Sequence, residues 1–97
     1  MTALTLVATF EARADTREEL ERRLREMVVY TTGEPGCLRY DLHVDVEDAH
    51  RFVFVETWAD HAAWDKHMTT DHVARLLADA PSLTTAGVQL ERLLQIG

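Results

Sequence analysis

Leu38-Arg39-Tyr40-Asp41-Leu42-His43-Val44 and Arg51-Phe52-Val53-Phe54-Val55-Glu56-Thr57-Trp58 are the two stretches that decide the fold. In the first, Leu38, Tyr40, Leu42 and Val44 alternate with Arg39, Asp41 and His43, the period of two of a strand with one apolar face. The second is rich in β-branched and aromatic residues, and the turn Asp45–His50 joins the two as a hairpin. Upstream, Leu4, Leu6, Ala8 and Phe10 alternate with Thr5, Val7, Thr9 and Glu11, which predicts a first strand over Thr2–Ala12. Between it and the hairpin, Leu20, Leu24, Met27, Val28 and Thr31 form one helical stripe. Asp15 or Thr16 is placed to cap that helix, with Glu18 or Glu19 completing a capping box. Gly33-Glu34-Pro35-Gly36 ends it, since glycine suits a left-handed cap and proline disfavours helix at the residue before it.

Downstream, the pattern predicts a helix in two pieces. Asp60 caps the first, through Ala62, Ala63, Trp64 and His67; Thr70 or Asp71 starts the second, through Val73, Leu76 and Leu77 to Ala80, before Pro81 stops it. Val88, Leu90, Leu94 and Ile96 supply a last strand. The order βαββαβ is an α+β, ferredoxin-like arrangement: a four-stranded antiparallel sheet with right-handed crossovers placing the helices on one face. The other face also carries apolar residues, Val7, Val53 and Val55, so a second copy is expected to cover it in a homodimer.

The chain of 97 residues leaves room for one core, and residues 1–97 are read as a single domain. A hydrophobic fraction of 46% and a charged fraction of 28% are a globular balance. The net charge of -7, with its 10 basic residues scattered, argues against a nucleic-acid partner. No apolar run reaches the roughly 20 residues that span a bilayer, and no charged-then-apolar leader opens the chain, so a cytoplasmic protein without a membrane partner is expected. The lone Cys37 fits a reducing compartment and reads as a small packed hydrophobe.

Aromatic, carboxylate and imidazole groups concentrate from the end of the third strand through the broken helix: Glu56, Trp58, His61, Trp64, His67 and His72. Glu56 and Trp58 are two apart in a strand and share the face of Phe52 and Phe54, which puts a carboxylate among aromatic rings and raises its pKa unless it is paired. His67 and His72 flank the break and are expected to reach a common cavity, where imidazole is suited to proton abstraction. His43, His50 and His61 read as solvated. No metal site is expected, because His61, His67 and His72 lack the i, i+4 zinc spacing and a cysteine cluster. No phosphate loop or dinucleotide fingerprint occurs, so no cofactor is expected either.

Glu34-Pro35-Gly36-Cys37-Leu38-Arg39-Tyr40-Asp41-Leu42, the hairpin to Phe52, Glu56-x-Trp58 and His67-x-Thr69-Thr70-x-His72 together resemble the antibiotic-biosynthesis monooxygenase-like domain family. The resemblance covers nearly the whole chain and implies a dimeric α+β barrel. It also implies one of several activities: cofactor-independent oxidation of small aromatic quinols or anthrones by dioxygen, isomerisation of a small ketone in the autoinducer-processing branch, or haem degradation. Haem degradation fits badly, because His67 stands where that branch has tryptophan, its histidine position falls near Leu77, and the first strand has no asparagine. The His-x-Thr-Thr-x-His run is similar to the quinol-oxygenase and autoinducer-processing branches. The expected roles are His67 as base, His72 or Glu56 orienting it, Trp58, Phe54 and Tyr40 holding a planar ring, and Arg39 contacting an anion or a dimer partner. Non-enzymatic binding of a small molecule by the dimer is the remaining alternative.

Overall fold

The computed structural model describes residues 2–97, in seven elements: β1 (Leu4–Ala12), α1 (Arg17–Thr32), β2 (Cys37–Val44), β3 (Arg51–Trp58), α2 (His61–His67), α3 (Asp71–Leu83) and β4 (Thr84–Leu93). The strands form one antiparallel sheet in the order β2-β3-β1-β4. This is the expected ferredoxin-like βαββαβ fold. Period-two burial is clearest in β3, where Phe52, Phe54, Glu56 and Trp58 are buried while Val53, Val55 and Thr57 are half-buried on the opposite face. Register aligns Leu6 with Glu56, Ala8 with Phe54 and Phe10 with Phe52, and the apolar members of these pairs join Leu20, Leu24 and Met27 of α1 in the core.

Several local details differ from the sequence-based expectations. Thr16 is the N-cap of α1, but its hydroxyl bonds the Leu83 carbonyl at 2.7 Å, so no capping box forms. Gly33 is right-handed; the positive φ belongs to Gly36, at 83°. Helix α3 runs through Pro81 to Leu83. A proline in the last turn forfeits a single intrahelical bond, and the Arg13 guanidinium satisfies an open carbonyl at this helix end by donating to Pro81 O at 2.8 Å. Strand β4 starts at Thr84 and ends at Leu93, because Thr84 pairs with Ala12 across a register shift, leaving Leu94 and Ile96 outside it and exposed. The polar run after Leu83 is thus strand, its β-branched threonines suiting extended backbone.

Among the described residues, no helix is long and apolar enough to cross a membrane. Cys37 is half-buried and packs against the core.

Candidate active site

The break between α2 and α3 is built from short-range bonds. The Asp60 side chain accepts from Ala63 N–H at 2.8 Å and starts α2. At the break, Thr70 Oγ1 donates to the His67 carbonyl at 2.7 Å and accepts from Val73 N–H at 3.4 Å, capping α3. His67 therefore ends one helix and His72 lies in the first turn of the next.

The two imidazoles meet at a residue distant in sequence. Glu34 Oε2 lies 2.9 Å from His67 Nδ1 and 2.7 Å from His72 Nε2. A carboxylate between two imidazoles is the acceptor, so each ring presents an N–H to it. What brings Glu34 there is Gly36. A Cβ at that position would stand 2.5 Å from the Ala63 Cβ, so only glycine lets the loop after α1 lie this close to α2. The Gly36 carbonyl then accepts from Ala59 N–H at 2.8 Å. The sequence places Glu34 in the turn that ends α1 and in the family-like stretch, without marking it as a site residue; the available signal was that Glu-Pro-Gly turn just ahead of β2.

His67 is 4% exposed, tilted against Trp58 with ring centroids 4.7 Å apart and edge-on to Tyr40 at 5.8 Å. Burial holds its imidazole below the ordinary pKa; the hydrogen bond and charge of Glu34 pull the other way, and His72 adds to the lowering. With Nδ1 committed to Glu34, the neutral ring keeps a lone pair on Nε2. Glu56 is also 4% exposed, and its Oε1 accepts from the Trp58 indole N–H at 3.0 Å. Burial lifts this carboxyl to about 7, with the Trp58 bond opposing and the negative Glu34 reinforcing the rise. Burial likewise pushes the Tyr40 phenol well above its ordinary value.

Between the sheet and helices α2 and α3 lies a cavity of about 250 Å³, whose lining includes Phe10, Tyr40, Phe54, Glu56, Trp64 and His67. Its walls are apolar and aromatic, with the His67 imidazole, the Glu56 carboxyl and the Tyr40 phenol as the ionisable groups, the composition of a small-molecule site. A larger groove of about 540 Å³ between α1 and β2 takes in none of Glu34, Glu56, His67 or His72.

The structure thus brings His67, Glu56, Tyr40 and Phe54 to one cavity. Trp58 stands behind His67 and outside the lining, and Trp64 supplies the indole wall. His72 does not share the cavity: it lines the groove between α1 and α3, stacked on Tyr30 at 5.5 Å, and it meets His67 both through Glu34 and by ring contact, with centroids 5.9 Å apart. Arg39 is exposed and paired with Asp41 at 2.6 Å, away from the cluster. His43 and His61 are exposed and His50 is half-buried.

Residues 3–79 match the antibiotic biosynthesis monooxygenase family. The chain belongs to that family. Among solved relatives of this family member, PA3566 from Pseudomonas aeruginosa is 39% identical with a TM-score of 0.93, covering 100% of this chain and 97% of its own. A crystal structure described as an antibiotic biosynthesis monooxygenase is 32% identical, TM-score 0.89, covering 97% and 99%. YcnE of Bacillus subtilis is 29% identical over 89 residues, 92% of this chain and 94% of its own. The chain spans 60% of the length of a Synechocystis relative, sll1783, to which it is 23% identical over 88 residues.

Proposed function

We propose that this family member is a cofactor-free monooxygenase that oxidises a small planar quinol or anthrone with dioxygen. The observation that carries this reading is His67: a buried imidazole, held at Nδ1 by Glu34, on the wall of an aromatic cavity. Membership of a monooxygenase family supports it further.

In this mechanism the ring enters between Tyr40, Phe54 and Trp64, and His67 Nε2 removes a proton from the carbon or hydroxyl to be oxidised. The charge that develops on His67 is met by the Glu34 carboxylate, the role of an orienting acid beside a catalytic base. For an anthrone, the electron-rich anion passes an electron to dioxygen. Recombination forms the carbon–peroxide bond, and the proton held on His67 returns to the peroxide. Cleavage of the O–O bond, with loss of the second hydrogen on that carbon, yields the ketone and one water. Glu56 faces the same cavity and hydrogen-bonds a substrate oxygen. The dry walls exclude water and hold the geometry.

The working unit in this reading is a cytoplasmic homodimer of single-domain chains, the second copy covering the sheet face of Val7, Val53 and Val55. Oxygen uptake by chelator-treated protein across a panel of hydroquinones and anthrones tests the activity. His67→Ala should lower kcat by roughly 10²–10⁴. Full turnover in that variant refutes the base assignment, and product formation from a small ketone without oxygen uptake identifies an isomerase instead.

A further inference from the structure

We infer that Glu34, His67 and His72 form a site for a divalent first-row transition-metal cation of the zinc type, and that a cation held there moves the His67 proton onto its cavity-facing nitrogen. Only the functional consequence, loss of the base, rests on the activity proposed above.

One oxygen of Glu34 and one ring nitrogen from each histidine lie within 4.8 Å of one another. Two imidazoles and a carboxylate are a zinc-binding donor set that leaves a fourth position open. Glu34 Oε2 already stands 2.9 Å and 2.7 Å from the two nitrogens. Zinc ligands with bonds of about 2.0–2.1 Å sit roughly 3.3 Å apart, so each nitrogen retreats from the oxygen by about half an ångström on binding. The rings are already held, His67 by Trp58 and His72 by Tyr30. Access comes from the solvent side: the side chains of Glu34 and His72 are 14% and 16% exposed. His72 opens onto the α1–α3 groove, whose lining also includes Glu26, Tyr30, Arg75 and Asp79.

The proton follows from the ligation. A neutral imidazole that gives Nδ1 to a cation carries its hydrogen on Nε2. In the hydrogen-bonded state Nε2 of His67 is an acceptor; in the cation-bound state it is a donor, and no longer able to take a proton from a substrate.

Calorimetric titration of the chelator-stripped full chain with Zn²⁺, and visible spectra with Co²⁺, read the site without reference to turnover. The expected result is one equivalent bound and an absorption spectrum of a four- or five-coordinate cobalt ion. Glu34→Gln and His72→Ala, each checked for folding by circular dichroism, should weaken binding about tenfold or more. His61→Ala, which removes an exposed imidazole 3.2 Å from Asp65, should leave it unchanged. Absence of binding, or binding that survives both Glu34→Gln and His72→Ala, overturns the site. Nitrogen-15 NMR of the histidine rings reads the proton directly: Zn²⁺ should shift the His67 hydrogen from Nδ1 to Nε2, and an unchanged tautomer overturns that half. These readouts stand even if the stripped protein oxidises no quinol, an outcome that counts against the proposed activity alone.

Discussion

Replacing Glu56 by glutamine isolates the free energy of a buried acid. The amide keeps an oxygen where the Trp58 indole N–H donates at 3.0 Å, and it cannot ionise. In the wild-type fold the carboxyl is lifted from its ordinary 4.5 to about 7, chiefly by burial. Because its folded pKa is the higher one, the folded state binds the proton more tightly. The stability this contributes is present in full below about pH 4.5 and is lost as pH rises to about 7. Ten-fold in proton affinity is 1.36 kcal/mol, so the loss across the window is about 3 kcal/mol. Urea unfolding of both proteins at pH 4.5, 6 and 8 measures it, with contributions from other groups, His67 included, removed in the difference. Glutamine should gain about 3 kcal/mol relative to wild type between the extremes, a relative midpoint shift of about 2 M if the denaturant slope is roughly 1.5 kcal/mol/M. Curves that stay parallel within about 0.5 kcal/mol would show that the folded protein does not bury this carboxyl in its neutral form.

Gly36→Ala places a methyl group against Ala63 and forces a left-handed alanine; thermal or urea denaturation should show a loss of about 2–4 kcal/mol. Glu34→Gln should keep the loop in place yet lower kcat for oxygen uptake by about a hundredfold, with KM little changed, because only the stabilisation of charged His67 is removed. Phe54→Ala, at the cavity floor and 1% exposed, should cost about 3–5 kcal/mol in chemical denaturation. Val55→Lys puts a charge on the half-buried sheet face that we assign to the second copy, and sedimentation should then report a monomer where wild type reports a dimer.

The fold was legible because its signals are local. Alternation in Arg51–Trp58, the stripe Leu20–Leu24–Met27 and the Asp60 cap all act within a few residues, and each formed as read. The start of β4 was not, because its partner is Ala12, and a threonine-rich run becomes strand only when a neighbouring ladder receives it. The site divides in the same way. His67 and Glu56 stood out by their setting among aromatic residues. Glu34 did not, being separated by 33 residues from His67 and drawn to it through a contact between Gly36 and Ala63 that no local pattern encodes. The spacing rule for helical metal ligands assumes one continuous helix, and the break at Thr70 removes that assumption. Trp58 and Trp64 traded places because strand alternation gives the face a side chain points to, whereas helix packing decides which side chain ends beside empty space.

The strand order carries a consequence for how the chain reaches this state. β1 lies in the middle of the sheet, with Thr5 paired to Thr57 on one side and to Leu93 on the other. On the ribosome, where synthesis advances at about 5–20 residues per second, the first ladder has its partner early, but the second must wait until Leu93 has emerged. Throughout that interval the nascent chain presents a bare β1 edge backed by apolar side chains, a surface that invites pairing with another unfinished copy. Contacts this far apart in sequence also make folding slow for a domain of this size, so aggregation during synthesis, rather than loss of the finished fold, is the point at which substitutions in β4 would first be felt.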